Sequence, residues 1–89
     1  MALKKSIMGE NSLLKIGQVS RLTGVPIYTL RYWERELPGI LTPLRTSGGQ
    51  RRYDQETLQV VHRIKELLKE KMYSLAGAKR ILKEEKRDD

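Results

Sequence analysis

Tyr28, Arg31, Tyr32 and Arg35 recur at i, i+3, i+4 and i+7, which gathers two phenols and two guanidiniums on one helix face. A solvated face usually mixes Glu, Lys, Gln and Ser. Phenols and guanidiniums instead hydrogen-bond phosphate oxygens and base edges. On the opposite face, Ile27, Leu30, Trp33 and Leu37 form an apolar stripe at helical period, so the same ten or so residues carry a core side and a polar reading side. The pattern is that of a recognition helix. More arginine follows: Arg45, Arg51 and Arg52 flank the turn cluster Thr46-Ser47-Gly48-Gly49, with no acidic residue between Leu37 and Tyr53.

The surrounding elements must present these groups. Ile16, Val19 and Leu22 recur every three residues and predict a short helix from about Gly17 to Thr23. Gly24 ends it, having no Cβ to resist a left-handed turn, and Pro26 opens the next helix with its φ already set. Two short helices across a glycine turn make a helix-turn-helix. Pro38-Gly39 breaks the second helix, and Leu41 to Tyr53 then has the signature of a β-hairpin. A hairpin with arginine on both strands would serve as a wing against a phosphate backbone. Arg52 alternates away from Arg51, so one of the pair should face solvent.

Asp54 is a suitable N-cap for a third helix running to about Lys71, with Leu58, Val61, Ile64, Leu67 and Leu68 inward. Ser74 caps a fourth, with Leu75, Ala78, Ile81 and Leu82 inward. Met72 and Tyr73 should pack the corner between them. The charged run from Lys83 to Asp89 either prolongs the last helix or frays. Residues 1–14 show no sustained period and are expected to form a flexible arm, in which Lys4 and Lys5 could touch a phosphate. Residues 15–89 then form one domain. The expected fold is mainly α: a winged helix-turn-helix of four helices with a two-stranded hairpin.

Bulk properties narrow the function. Eighty-nine residues suffice for one modest core. The net charge of +7 favours a polyanionic partner, and it is unevenly placed. Residues 1–53 hold nine Lys/Arg against three Glu, whereas residues 54–89 hold nine against eight Asp/Glu. With no cysteine, disulfides and thiolate metal sites are excluded, and His62 alone makes no zinc site. No apolar run approaches a membrane span, and no signal-peptide core is present, so a cytoplasmic protein is expected. No nucleophile–base pair, nucleotide loop or metal-ligand set appears, so neither an enzyme nor a cofactor is expected.

Lys15 to Leu82 resembles the DNA-binding domain of the MerR family of bacterial transcription regulators. The matching words are Ile16-Gly17-Gln18-Val19-Ser20, Thr23-Gly24-Val25, Thr29-Leu30-Arg31-Tyr32-Trp33-Glu34-Arg35, Pro43-Leu44-Arg45, Gly49-Gln50-Arg51-Arg52-Tyr53 and Tyr73-Ser74-Leu75. They come in family order and at family spacing. Trp33 stands where the family usually has Tyr, and Glu36 to Ile40 replaces its usual Gly-Leu-Leu.

The resemblance implies a second helix in the major groove, with Tyr28, Arg31 and Tyr32 on bases and phosphates and Arg35 on the same face. Arg45, Arg51 and Tyr53 would hold phosphates through the wing, with Arg52 beside them. Backbone N–H groups near Gly17 and Gln18 would take another phosphate. It further implies a homodimer on a palindromic operator in the nucleoid, acting indirectly on RNA polymerase by distorting promoter DNA. The chain by itself is expected to be a monomer or weak dimer. It would be either part of a longer regulator or a minimal stand-alone member. Two rival readings use the same fold: an excisionase-like factor that bends DNA, and a protein-interaction module that has lost DNA binding.

Overall fold

The computed structural model describes residues 13–87, in which four α-helices and one two-stranded antiparallel hairpin surround a single core. Helix α1 spans Ile16–Thr23 and α2 spans Ile27–Glu36. Strands β1 (Leu44–Arg45) and β2 (Arg51–Arg52) follow, then α3 (Gln55–Lys65), a π-helical turn (Glu66–Glu70) and α4 (Leu75–Arg87). This is the winged helix-turn-helix expected, with the third helix ending in a widened turn.

The turn between α1 and α2 is held by identifiable bonds. Gly24 adopts φ 77°, a left-handed conformation that any side chain would strain, and its N–H donates to the Ser20 carbonyl at 2.8 Å. The buried Thr23 hydroxyl donates to the Val19 carbonyl at 2.8 Å and accepts from the Val25 N–H at 3.2 Å. From α3, the Lys65 ammonium donates to the Thr23 carbonyl at 2.6 Å. That places a cation at the negative end of the α1 dipole. Both hydrophobic faces therefore meet at a fixed angle over the core.

Val19, Leu30, Trp33, Leu37, Val61 and Ile64 are buried at the centre of that core. Fully burying a side chain such as Leu30 contributes roughly 1.5–3 kcal/mol. Ile27 departs from the expected stripe, because it lies in the first turn of α2, past the edge of the core, and is exposed. Helix α3 starts where Asp54 caps it: the carboxylate accepts from the Thr57 N–H at 2.8 Å and its hydroxyl at 2.7 Å. Ser74 caps α4 through Gly77, whose N–H donates to the Ser74 hydroxyl at 3.1 Å.

Met72 and Tyr73 do not pack the corner as expected. Met72 is 79% exposed and Tyr73 is also exposed. The π turn closes with the Lys71 N–H on the Glu66 carbonyl, and the next residue, Met72, reverses the chain at φ 60°. That reversal swings its side chain outward.

Residues 1–12 of the expected arm lie outside the described residues. Leu14, counted within that arm, instead belongs to the folded unit. It forms an antiparallel bridge to Tyr53, each N–H donating to the other carbonyl at 2.8 Å.

Candidate nucleic-acid interface

The polar face of α2 is open to solvent. Tyr28 is 77% exposed at the start of the helix, and Arg31, Tyr32 and Arg35 are exposed along it. Arg31 makes no ion pair among the described residues, although Glu34 and Glu36 were both within sequence reach. Arg35 is drawn toward its neighbours: its guanidinium lies 5.8 Å from the Tyr32 ring centroid and its Nε 3.8 Å from Glu36 Oε2. Tyr28 and Arg31 are thus the least committed groups on the face.

The hairpin is short, and its register places Arg45 directly opposite Arg51 and Leu44 opposite Arg52. Its tip is a tight turn in which the Gly49 N–H donates to the Thr46 carbonyl at 2.8 Å, with Gly49 left-handed at φ 85°. All three arginines have partners. Arg51 grips Glu34 of α2, with Nε 3.1 and 3.0 Å from the two carboxylate oxygens and Nη2 2.9 Å from Oε1. Arg45 donates to the Gly49 carbonyl at 3.1 Å and brings Nη2 to 3.7 Å from the same Glu34. Arg52 curls back on the chain, donating to the Arg51 carbonyl at 2.8 Å and Gln50 Oε1 at 3.1 Å. Neither Arg51 nor Arg52 is fully solvated, so the expected division into one inward and one outward arginine is replaced by two half-buried ones. Donating hydrogen bonds to the Glu34 carboxylate raises the Arg51 pKa above its ordinary value.

Tyr53 requires a correction. It was expected to hold a phosphate, but its side chain is completely buried and its hydroxyl has no partner among the described residues. Burial, followed by the nearby Glu34 carboxylate, pushes its pKa up to about 12. A group sealed from solvent cannot meet a phosphate while the hairpin stays in place. Tyr53 is instead the floor on which the hairpin rests.

The bridge from Tyr53 to Leu14 brings the start of α1 to the base of the hairpin. There the Gln18 side chain accepts from the Lys15 N–H at 2.8 Å, and the Gln18 N–H turns to the Lys15 carbonyl at 2.9 Å. The N–H groups of Ile16 and Gly17 lie in the first turn, where no intrahelical acceptor exists. Gly17 has open space where a Cβ would stand. Lys15 is exposed beside it, a cation that the sequence reading did not single out.

Start of α1, outer face of α2 and hairpin are therefore linked through two ties, Leu14–Tyr53 and Glu34–Arg51. Glu34 is the functional candidate that sequence reasoning missed. In the sequence it stands only as one letter of a motif, three residues from Arg31. The available signal was its position on the flank of α2, between the apolar stripe and the phenol–guanidinium face.

Comparison with known proteins agrees with this architecture. Residues 14–85 match the MerR HTH family of regulatory proteins. The nodulation protein NolA of Bradyrhizobium sp. (strain NC92) is 39% identical over 69 residues, 76% of this chain and 28% of that protein. The HTH-type transcriptional repressor CarA of Myxococcus xanthus is 38% identical over 66 residues, 73% of this chain and 23% of that one. The chain thus spans under a third of the length of these relatives. Among solved structures, HiNmlR, a MerR family regulator lacking the sensor domain and bound to promoter DNA, superimposes with a TM-score of 0.72 at 26% identity, over 86% of this chain and 57% of that one. The match over residues 14–85, nearly the whole described length, means that this chain belongs to the MerR HTH family of regulatory proteins.

Proposed function

We propose that this domain binds double-stranded DNA sequence-selectively as the DNA-binding part of a bacterial transcription regulator. The observation that carries the reading is the joint presentation of the α2 face and the hairpin guanidiniums by one folded unit, with the net positive charge concentrated in the same half of the chain. Helix α2 lies in the major groove, where Tyr28 and Arg31 meet base edges and Tyr32 and Arg35 the adjoining backbone. Arg45, Arg51 and Arg52 face the phosphates from the hairpin. The N–H groups at Gly17, with Gln18, receive a further phosphate at the positive end of α1. The likeness of fold to HiNmlR, which was solved bound to promoter DNA, supports DNA binding.

One copy reads one half-site. Two copies on an inverted repeat would grip and distort promoter DNA together, altering how RNA polymerase engages it, within the bacterial cytoplasm and nucleoid. The role is binding, with no chemical step and no cofactor. Selection from a random duplex pool is the test. Recovered sequences should share one motif, arranged as an inverted repeat where two copies bind. A pool without a common motif would contradict the proposal.

A further inference from the structure

The hairpin poses an electrostatic problem that α2 resolves. Its register sets Arg45 directly across from Arg51, so two guanidiniums stand on the same face of a two-stranded ribbon. Like charges directly opposite destabilise such a pair, and a ribbon with two paired residues per strand is not stable alone. Glu34, on the flank of α2, inserts one carboxylate beside both. Arg51 gives it three contacts of 2.9 to 3.1 Å, and Arg45 approaches to 3.7 Å. Glu34 and Arg51 are both partly buried, so the pair is screened less than a surface ion pair. A carboxylate at this place would repel a phosphate, which makes no sense for a DNA contact. It does make sense for a tether. The Arg51 Nη1 group makes no hydrogen bond among the described residues, and Arg45 is half exposed, so both cations keep donors for a phosphate while anchored.

We infer that Glu34 is a positioning residue: its carboxylate sets the offset of the hairpin guanidiniums from Tyr28 and Arg31, and so decides which phosphate the hairpin takes relative to the bases that α2 reads. The inference rests on the DNA-binding reading. It adds that selectivity and backbone grip are coupled through one side chain touching neither base nor phosphate. Tyr53, buried beneath the pair, supplies the other support.

The test uses a duplex that the parent selects from a random pool, and compares the parent with Glu34→Gln and Glu34→Asp. Thermal unfolding without DNA is measured first. Guanine N7 methylation interference then reports the major groove, and phosphate ethylation interference reports the backbone. Glu34→Gln is expected to keep the N7 pattern, lose or move the ethylation sites at the hairpin, and bind about tenfold more weakly. Glu34→Asp keeps the charge but withdraws it by one methylene, and should shift the same ethylation sites without abolishing them. If Glu34→Gln does not fold, the Asp variant decides alone. Unchanged ethylation sites in a folded variant overturn the inference. So does parallel loss of N7 and ethylation signals at the parent's melting temperature, since Glu34 would then act on the α2 face itself. A parent that selects no motif defeats the DNA-binding reading before Glu34 is reached.

Discussion

Tyr28 and Arg51 should fail in different ways when removed. Tyr28 is 77% exposed in the first turn of α2 and lies outside the core. Tyr28→Ala is therefore expected to leave the melting temperature unchanged and to cost about 1–3 kcal/mol at one base-pair position, relaxing selectivity there. Competition binding with single-substituted duplexes measures it; a uniform loss across sequences would reassign Tyr28 to the backbone. Arg51→Ala should weaken all sequences alike and flatten the salt slope by about one. It should also lower stability by about 1–2 kcal/mol, because Glu34 is left partly buried beside a single, more distant arginine. Arg51→Ala with an unchanged melting temperature would show that the Glu34 pair is spent on the surface. At this scale the sequence was legible where a side chain's role followed from period alone: Leu30 and Trp33 are buried where 3.6-residue spacing puts them. Tyr53 was misread because an amphipathic ring in a hairpin can face either way. Its setting depends on tertiary structure: its backbone is bridged to Leu14, far away in sequence.

The elements are joined by devices with different sensitivities. Met72 holds φ 60° between the π turn and α4, a conformation that strains any residue with a Cβ, and its exposed side chain offers no packing in return. Met72→Gly is expected to stabilise the fold by about 0.5–1 kcal/mol, after the extra freedom of glycine in the unfolded chain is subtracted. Thermal unfolding decides it, and a lower melting temperature would mean that the Met72 side chain has a partner. On the far side of the molecule, Arg63 of α3 bonds to Glu66 at 2.8 Å and also to Glu85 of α4, clamping the last helix. The Arg63 hydrogen bonds hold the Glu85 carboxyl below its ordinary pKa. A carboxylate that binds its proton less readily when folded stabilises fully above its unfolded value, about 4.3, and loses that contribution as pH falls through the lower folded value. Both groups are partly exposed, so the amount is only about 0.5 kcal/mol. Glu85→Gln should melt slightly earlier than the parent at neutral pH and together with it once the pH is below the lowered folded value. A difference persisting in acid would refute the assignment. Helix positions and caps were legible in Gly24, Asp54 and Ser74, whose chemistry is local. The π turn after Lys65 and the exposed Met72 corner were not, since neither a widened turn nor a positive φ at a methionine has a local sequence signal.

As a whole the molecule divides its charge as it divides its work. The half containing α1, α2 and the hairpin carries nearly all the excess cation, while the remainder is nearly balanced in charge, with Arg63 paired to Glu66 and Glu85, and supplies the support. The fold class was readable from patterning, and the family from the order of its motifs. The coupling of hairpin to helix was not, because it depends on a carboxylate and a guanidinium that only tertiary structure brings together. The most direct test of the account is the salt dependence of binding to a selected duplex and to its shuffled counterpart. Affinity for both is expected to fall linearly in log–log form, with a slope matching several phosphate contacts, while the selected duplex stays tighter at every salt concentration. Affinity that ignores salt, or two duplexes bound equally, would contradict it.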